Sequence, residues 1–221
     1  MQFGTTNAPA DFQCYMNNAI TEVLDDFALA YLDDVLIYSD SEEDHISHVK
    51  WVMQRLLEAG LYLKPEKCEF HKETVRHLGL IISTKGIAMD KDTVETVQNW
   101  SQEKKSKNGW LNNLFEVHQF VGFCNYYWWF IPKYCEKEEP LTRLTKRDEQ
   151  LVWESVQQLA FETMRTGFTT AHALRHNDHE REVNIETDAS EYVSAGVLSQ
   201  RDDEAVLHPV ADYSKQHTPA E

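Results

Sequence analysis

Two adjacent aspartates, Asp33 and Asp34, stand in the middle of an apolar stretch that reads FALAYLDDVLIYS over residues 27–39. The segments on both sides are rich in β-branched and aromatic residues, which predicts two short strands. The aspartates then occupy the turn of a β-hairpin. Neighbouring carboxylates are costly to bury without a partner, so this turn must either face water or bind a cation.

The residue types alone leave both interpretations of the pair open. Asp is a common turn former, and a solvent-facing turn is the commoner origin of an isolated Asp-Asp pair. The alternative is a divalent-metal site, because carboxylate oxygens at a rigid hairpin tip are the ligands that Mg²⁺ prefers. Two such ions, about 3.5–4 Å apart, stabilise the attacking and leaving oxygens in phosphoryl transfer.

Composition narrows the class of protein. The 221 residues are 42% hydrophobic with a net charge of −16, and no Lys or Arg precedes Lys50. Phosphate contacts come from basic side chains, so only the middle third, where charges nearly balance, is suited to bind a nucleic-acid backbone. No apolar run is long enough to span a membrane, and no signal peptide opens the chain. Four cysteines without a C-x-x-C pair predict a cytoplasmic or nuclear protein that is not secreted.

Hydrophobic periodicity predicts a mixed α+β order without regular βαβ alternation. Helices are expected over 7–24, 41–60, 90–100, 116–130 and 153–168. Strands are expected around the aspartate pair, within 61–89 (most clearly VRHLGLIIS, with a turn at Lys85-Gly86), and in the three segments EVNIETDAS, VSAGVLSQ and AVLHPVADYS. The polar stretch 101–113 is predicted to be a linker or an insertion.

Several motifs follow one another in a recognisable order. MQFGTTNAPADFQ opens the chain, YLDDVLIYS follows at 31–39, and GLYLKPEKCEF, HLGLIISTKGIAMD, EVHQFVGFCNYYWWFIPKY and ETDASEYVSAGVLSQ come later. Together they closely resemble the reverse transcriptases of Ty3/gypsy-type long-terminal-repeat retrotransposons. The resemblance covers almost the whole chain. It implies a Pol polyprotein segment with a partial right-hand polymerase palm (1–89), a thumb and connection (90–150) and the N-terminal part of an RNase H-like α/β domain (151–221).

The resemblance also assigns roles by position. It makes Asp33 and Asp34 catalytic Mg²⁺ ligands of the polymerase, and Asp188, in TDAS, the first metal-binding carboxylate of the RNase H site. It places other residues near the substrates. Those at the nucleotide and template are Phe3, Gly4, Asn7, Pro9, Gln13 and Tyr31, and those in the primer grip are Leu78 and Gly79.

The implied activity is RNA-directed DNA polymerisation, a nucleotidyl transfer that uses Mg²⁺, a template-primer of RNA and DNA, and a deoxynucleoside triphosphate. The family's polymerase site needs a third carboxylate, which lies upstream of the motif with which this chain begins. The usual two arginines of the thumb motif are also replaced by Trp128 and Trp129. We therefore expect the chain to be inactive alone. Two alternatives stay open: a module completed in trans by other Pol segments, and a non-catalytic nucleic-acid-binding or interaction protein.

The other groups of histidines and tryptophans are weaker candidates for a functional site. His172, His176 and His179 lie close together, but they lack cysteine partners and a helix, so a polar loop is the expected setting. His45 and His48 are expected at the surface of a helix. Tryptophans can stack on bases, yet the acidic surroundings favour packing roles for Trp128 and Trp129, and likewise for Trp110.

Overall fold

The computed structural model describes residues 6–100, 111, 113–146, 152–190 and 192–217. The chain divides into two compact units, Met1–His77 and Leu78–Glu221. Helices and strands are both abundant, which confirms the predicted α+β class. Phe3 and Gly4 lie outside the described residues, and so do Trp110 and almost all of the polar stretch 101–113.

The elements of the first unit are α1 (Ala8–Ala19), β1 (Ala28–Tyr31), β2 (Asp34–Ile37), α2 (Glu42–Glu58), a 3-10 turn (Pro65–Lys67) and β3 (Thr74–His77). Those of the second unit are β4 (Leu80–Ser83), β5 (Gly86–Met89), α3 (Lys91–Gln98), α4 (Leu114–Asn125), a 3-10 turn (Trp128–Phe130), α5 (Tyr134–Leu144), α6 (Ser155–Thr170), β6 (Val183–Ala189), β7 (Val193–Arg201) and β8 (Leu207–Gln216).

The first unit is a small helix-and-hairpin core. Its buried apolar side chains come from α1, β1, α2 and the loop after α1, and they are Met16, Ile20, Val23, Ala28, Val52 and Leu56. Helix α2 begins where the sequence predicts it, because the Ser41 hydroxyl accepts the Asp44 backbone N–H and caps the helix. Gly60, with φ +70°, follows its end.

Helix α1 is shorter than predicted, because it ends at Ala19 rather than at residue 24. The backbone N–H groups of Asp26, Phe27 and Ala28 all lie within hydrogen-bond distance of the Val23 carbonyl. This tight turn, with Asp25 at φ +63°, brings the chain from α1 into β1. The apolar spacing of Val23 therefore reflects burial in the loop, and the helical prediction for 20–24 is wrong.

The segment VRHLGLIIS is not one strand. Leu78 and Gly79 both have positive φ, +51° and +77°, so the chain turns between β3 and β4. The second turn of this region lies at residues 84–85, and Gly86 begins β5. Strand-forming residues lie on both sides of the break, at Val75 and at Leu80, Ile81 and Ile82, so residue type alone favours a single strand here.

In its described residues the second unit contains four helices, α3 to α6, and two groups of strands. Strands β4 and β5 form an antiparallel hairpin, and β6, β7 and β8 form an antiparallel sheet with β7 in the centre. The largest core of the described residues lies where α4, α5 and α6 pack, around Phe120, Leu141 and Phe161. All three helices thus bury an apolar face.

A close backbone approach fixes the β4–β5 hairpin in this unit. Ile87 and Leu174 exchange two backbone hydrogen bonds of 2.8 Å. Gly86 has φ +141°, and a Cβ atom at this position would collide with the Leu174 carbonyl oxygen. Only glycine combines that backbone angle with that approach.

Two helices of this unit differ from the prediction. The expected helix over 116–130 begins at Leu114 and ends at Asn125, and a 3-10 turn follows at Trp128–Phe130. Helix α5 is not predicted from the sequence, because Pro140 lies inside it and proline argues against a helix interior. None of the helices in the described ranges is long and apolar enough to cross a membrane.

Two further sequence predictions concern residues of the second unit, the tryptophans 128 and 129 and the histidines of 172–179. Trp128 packs edge-on against Tyr213, and Trp129 lies against Phe130, so both have packing roles. The histidines of 172–179 lie outside helices and strands, and His176 forms a 2.7 Å hydrogen bond through Nε2 with the Ser83 carbonyl.

Candidate metal-binding hairpin and its surroundings

The aspartate pair lies on a two-residue hairpin in the first unit. Strands β1 and β2 pair antiparallel, with Tyr31 opposite Asp34, so Leu32 and Asp33 form the turn and Asp34 begins β2. The predicted hairpin is therefore present, with its turn shifted by one residue. Leu32 has φ +49°, the left-handed region that costs a non-glycine residue about 1–2 kcal/mol.

Both carboxylates are accessible. Asp33 and Asp34 are exposed, and neither side chain forms a hydrogen bond or an ion pair with another described residue. Their oxygens are thus available to an outside cation. One neighbour is titratable: burial lowers the pKa of His77, at the end of β3, and the negative charge of Asp34 opposes that shift.

The side chain of Gln13 contacts the backbone of this hairpin from α1. Its Oε1 accepts the Leu32 N–H at 2.6 Å, and its Nε2 donates to the Ala30 carbonyl at 3.0 Å. Nε2 also donates to Oδ1 of Asn17 at 2.7 Å, one turn along the helix. The resemblance places Gln13 near nucleotide and template, and the structure places its amide on the polypeptide backbone.

The other predicted substrate residues of the first unit that the structure describes, Asn7, Pro9 and Tyr31, are exposed. Asn7 precedes α1, Pro9 lies in its first turn, and Tyr31 ends β1 with 55% of its surface accessible. Proline is tolerated at a helix start, because the N–H that it lacks has no partner there. All three side chains are accessible to a ligand, and their binding roles stay predictions.

The predicted primer-grip residues, Leu78 and Gly79, form the turn before β4. The Gly79 carbonyl accepts the Asp90 N–H at 3.0 Å, and a Cβ atom at Gly79 would collide with the Tyr127 hydroxyl. This contact and the positive φ account for glycine structurally. Contact with a primer stays a prediction.

Asp188, the predicted RNase H carboxylate, lies on β6 and is already paired with a cation. Its Oδ2 accepts a 2.6 Å hydrogen bond from Nζ of Lys133, which precedes α5 and has φ +54°. Both side chains are at least half exposed, so the pair contributes little to stability. The bond lowers the pKa of Asp188 and raises the pKa of Lys133.

Replacing Lys133 by Met is expected to raise the pKa of Asp188 toward its ordinary value of about 3.9, because the hydrogen bond and positive charge are lost. The folded-state pKa of Asp188 lies below its unfolded-state value. The ion pair therefore stabilises the fold above the unfolded-state pKa, and this contribution is lost as pH falls through the folded-state pKa. An NMR titration of the Asp188 carboxyl carbon measures the change.

Lys85→Met, at an exposed turn of the same unit, provides the matched control and should leave the Asp188 titration unchanged. An unaltered pKa of Asp188 in Lys133→Met would show that the ion pair does not persist in solution.

The described residues fit a divalent ion only in part. Asp33 and Asp34 offer oxygen ligands of the type that Mg²⁺ takes, together with water and phosphate oxygens. However, no group of three or more His, Cys, Asp or Glu side chains in the described ranges is arranged to hold a metal ion. The hairpin thus offers two protein ligands, and Asp188 lies in the other compact unit.

Sequence reasoning missed three contacts at these sites. Nothing local indicates that Gln13 bonds to Leu32, because 19 residues separate them. The approach of His77 to Asp34 depends on the path of the chain between α2 and β3. The pairing of Lys133 with Asp188 joins residues 55 apart in sequence. The residue types of Gln13, His77 and Lys133 do not distinguish them from ordinary polar residues of a protein surface.

Two family models match parts of the chain. A family model described as reverse transcriptase (RNA-dependent DNA polymerase) matches residues 1–82. A second, described as RNase H-like domain found in reverse transcriptase, matches residues 153–221.

Similar proteins cover the whole chain. The Transposon Tf2-3 and Tf2-7 polyproteins of Schizosaccharomyces pombe are each 36% identical over 221 residues, and the chain spans 16% of the length of each. A foamy viral protease-reverse transcriptase solved with an RNA/DNA hybrid matches 99% of this chain and 28% of its own, with 22% identity and a TM-score of 0.74. A structure of that protein with dsDNA matches 100% of this chain and 44% of its own, with 21% identity and a TM-score of 0.73.

The likeness to these structures shows the fold, which is that of a retroviral reverse transcriptase. The motifs, the two family matches and the relatives aligned along all 221 residues agree with one another. The chain belongs to the reverse transcriptases of Ty3/gypsy-type long-terminal-repeat retrotransposons, in the part of the Pol polyprotein that runs from the reverse transcriptase domain into the RNase H-like domain.

Proposed function

We propose that this chain supplies the metal-binding hairpin of an RNA-directed DNA polymerase, with Asp33 and Asp34 as two of its carboxylate ligands. One observation carries the proposal: both aspartates are exposed and unpaired at a tight hairpin turn, in a chain of the reverse transcriptase family. A turn that only faces solvent does not require two acidic residues, since one Asp is enough to favour a turn.

The chemistry follows from the charge of the hairpin. Mg²⁺ held by these carboxylates would neutralise charge that develops on the transferred phosphoryl group and on the attacking and leaving oxygens. The role of Asp33 and Asp34 is to keep two negative groups at one rigid place. Asn7, Pro9 and Tyr31 present accessible side chains in the same compact unit, where we place the nucleotide and the template.

We further propose that nucleotide transfer requires an additional acidic ligand. The described residues bring no third acidic or histidine ligand to the hairpin. Ligand number and charge set the affinity of a site for hard cations, so two carboxylates should hold the catalytic ions weakly. The active unit that we propose is the hairpin together with another segment of the Pol polyprotein.

The proposed partners are a template-primer of RNA and DNA and a deoxynucleoside triphosphate. The matching foamy viral protease-reverse transcriptase supports the first, because it was solved in complex with RNA/DNA hybrid and with dsDNA. The net charge of −16 means that phosphate binding must rest on a local basic surface rather than on the chain as a whole.

A second candidate function is a non-catalytic nucleic-acid-binding or interaction protein that reuses this fold. The ion pair between Lys133 and Asp188 favours it for the RNase H-like segment, because the predicted catalytic carboxylate is engaged by a protein cation. A retarded RNA–DNA hybrid without any primer extension would distinguish this function from polymerisation.

Manganese titration of the full chain tests the proposed metal site. Mn²⁺ is paramagnetic and is expected to broaden the NMR amide signals of Leu32, Asp33 and Asp34 before other signals of the first unit. Asp33→Asn and Asp34→Asn should each weaken this binding at least about tenfold, because one charged ligand is lost.

The chain offers a matched control for this titration in Asp25 and Asp26, a second exposed pair of adjacent aspartates in the same unit. Changing both to Asn should leave the broadening at the hairpin unaltered. Equal broadening at every acidic cluster, unaffected by Asp33→Asn, would overturn the proposal.

A further inference from the structure

Both N–H donors of the Gln13 amide are used by contacts within the protein. The amide offers two N–H donors and one carbonyl oxygen. The donors serve the Ala30 carbonyl and the Asn17 side chain, and the oxygen serves the Leu32 N–H. Both N–H groups have acceptors, so the orientation of the amide is fixed by its surroundings, and no donor is left over for a nucleotide or a template base.

These contacts bracket the residue before the turn. Gln13 bonds to the carbonyl on one side of Tyr31 and to the N–H on the other side. In the described part of the chain, β1 has β2 as its only strand partner. The glutamine amide thus occupies the position that a peptide group of a third strand would take beside β1.

One of the bonded groups belongs to the strained residue itself. Leu32 is in the left-handed region at φ +49°, and it donates its N–H to Gln13 at 2.6 Å. Non-glycine residues stay in this region only where their surroundings over-determine the backbone. Leu32 directly precedes Asp33 and Asp34, so its backbone angles set the direction of both carboxylates.

We propose that Gln13 is a positioning residue: it holds Leu32 in the left-handed conformation and thereby orients Asp33 and Asp34 for metal binding. The orientation of the two carboxylates for metal binding rests on the proposed function. The restraint of Leu32 by Gln13 is independent of it. It also differs from the substrate-contact role that the resemblance assigns to Gln13.

The first test is hydrogen exchange in the full chain. Gln13→Met keeps the length and helix propensity of the side chain but removes all three hydrogen bonds. We expect protection of the Leu32 amide to fall at least about tenfold, which matches the net worth of one to two hydrogen bonds. The control is Gln54→Met, which removes an exposed glutamine that bonds to Glu58 within α2. It should leave Leu32 unchanged.

The second test separates positioning from general stability. Mn²⁺ affinity at the hairpin should fall about tenfold in Gln13→Met. Adding Leu32→Gly to that variant should restore the affinity to within about threefold of the original, because glycine adopts positive φ without steric cost. If Gln13 contributed only to packing, Leu32→Gly would not restore the Mn²⁺ affinity.

Each outcome decides the inference. Unchanged exchange at Leu32 in Gln13→Met overturns it, and so does lost Mn²⁺ affinity that Leu32→Gly does not restore. If Gln13→Met fails to fold, Asn17→Ala, which frees one N–H of Gln13, should shift both readouts in the same direction by a smaller factor. If the unsubstituted chain shows no Mn²⁺ binding at the hairpin, the proposed function fails, while the Leu32 exchange still reports on the restraint.

Discussion

Replacing Phe161 by Ala should destabilise the second compact unit by about 3–5 kcal/mol, the usual cost of deleting a buried phenylalanine ring. Phe161 is fully buried on α6. Its ring lies 4.7 Å from that of Phe120 and 6.2 Å from that of Trp153, and the Arg165 guanidinium lies 5.6 Å from its centre. These three partners lose contact when the ring is removed, and a close-packed core relaxes only partly around such a cavity.

Hydrogen exchange of the α4 and α6 amides, measured over a urea series, gives the free energy of unfolding of this unit. Leu159→Ala is the matched control, because Leu159 lies two residues earlier on the same helix and is 69% exposed. Its effect should stay below about 0.5 kcal/mol. Equal effects of the two substitutions would contradict the packing of α4 and α6 around Phe161.

The parts of the fold that local chemistry determines could be predicted from the sequence. Ser41 caps α2 and Gly60 follows its end, and both are local helix signals that the structure confirms. The hairpin at Asp33 and the three strands β6, β7 and β8 also lie where β-branched and alternating residues predict them.

The parts that depend on distant contacts could not be predicted in this way. The break at Leu78 and Gly79 lies between strand-forming residues on both sides, and a leucine at positive φ carries no turn signal. Helix α5 contains Pro140, and tertiary packing of Tyr134 and Leu141 outweighs the local preference against it. The early end of α1 results from backbone hydrogen bonds to Val23.

The candidate site likewise has features that local sequence predicts and features that depend on distant contacts. The aspartates were identifiable because adjacent acids in an apolar hairpin are unusual, and the family resemblance gave them a role. The glutamine that brackets Tyr31 was identifiable only as a family position, since its contacts with Ala30 and Leu32 arise when α1 packs against β1. Lys133 had no signal, because its pairing with Asp188 depends on how the loop before α5 meets β6.

The second large effect is expected from substituting Asp33, which should reduce catalytic activity. A carboxylate that holds a catalytic ion contributes charge that asparagine cannot replace, so we expect Asp33→Asn to reduce nucleotide incorporation at least about a hundredfold. This loss corresponds to about 2.7 kcal/mol in activation free energy. The assay requires a protein with the complete set of ligands. A suitable one is a chimera in which these 221 residues replace the segment of the Tf2-3 polyprotein to which they align.

Primer extension by this chimera on an RNA template with Mg²⁺ tests most directly whether the Leu32-Asp33 hairpin carries polymerase metal ligands. We expect incorporation by the chimera, its loss in Asp33→Asn, full retention in the Asp25→Asn control, and no incorporation by the 221-residue chain assayed alone. Undiminished incorporation by the Asp33→Asn chimera would contradict the metal-binding role of the hairpin. Extension by the chain alone would contradict the need for a further acidic ligand.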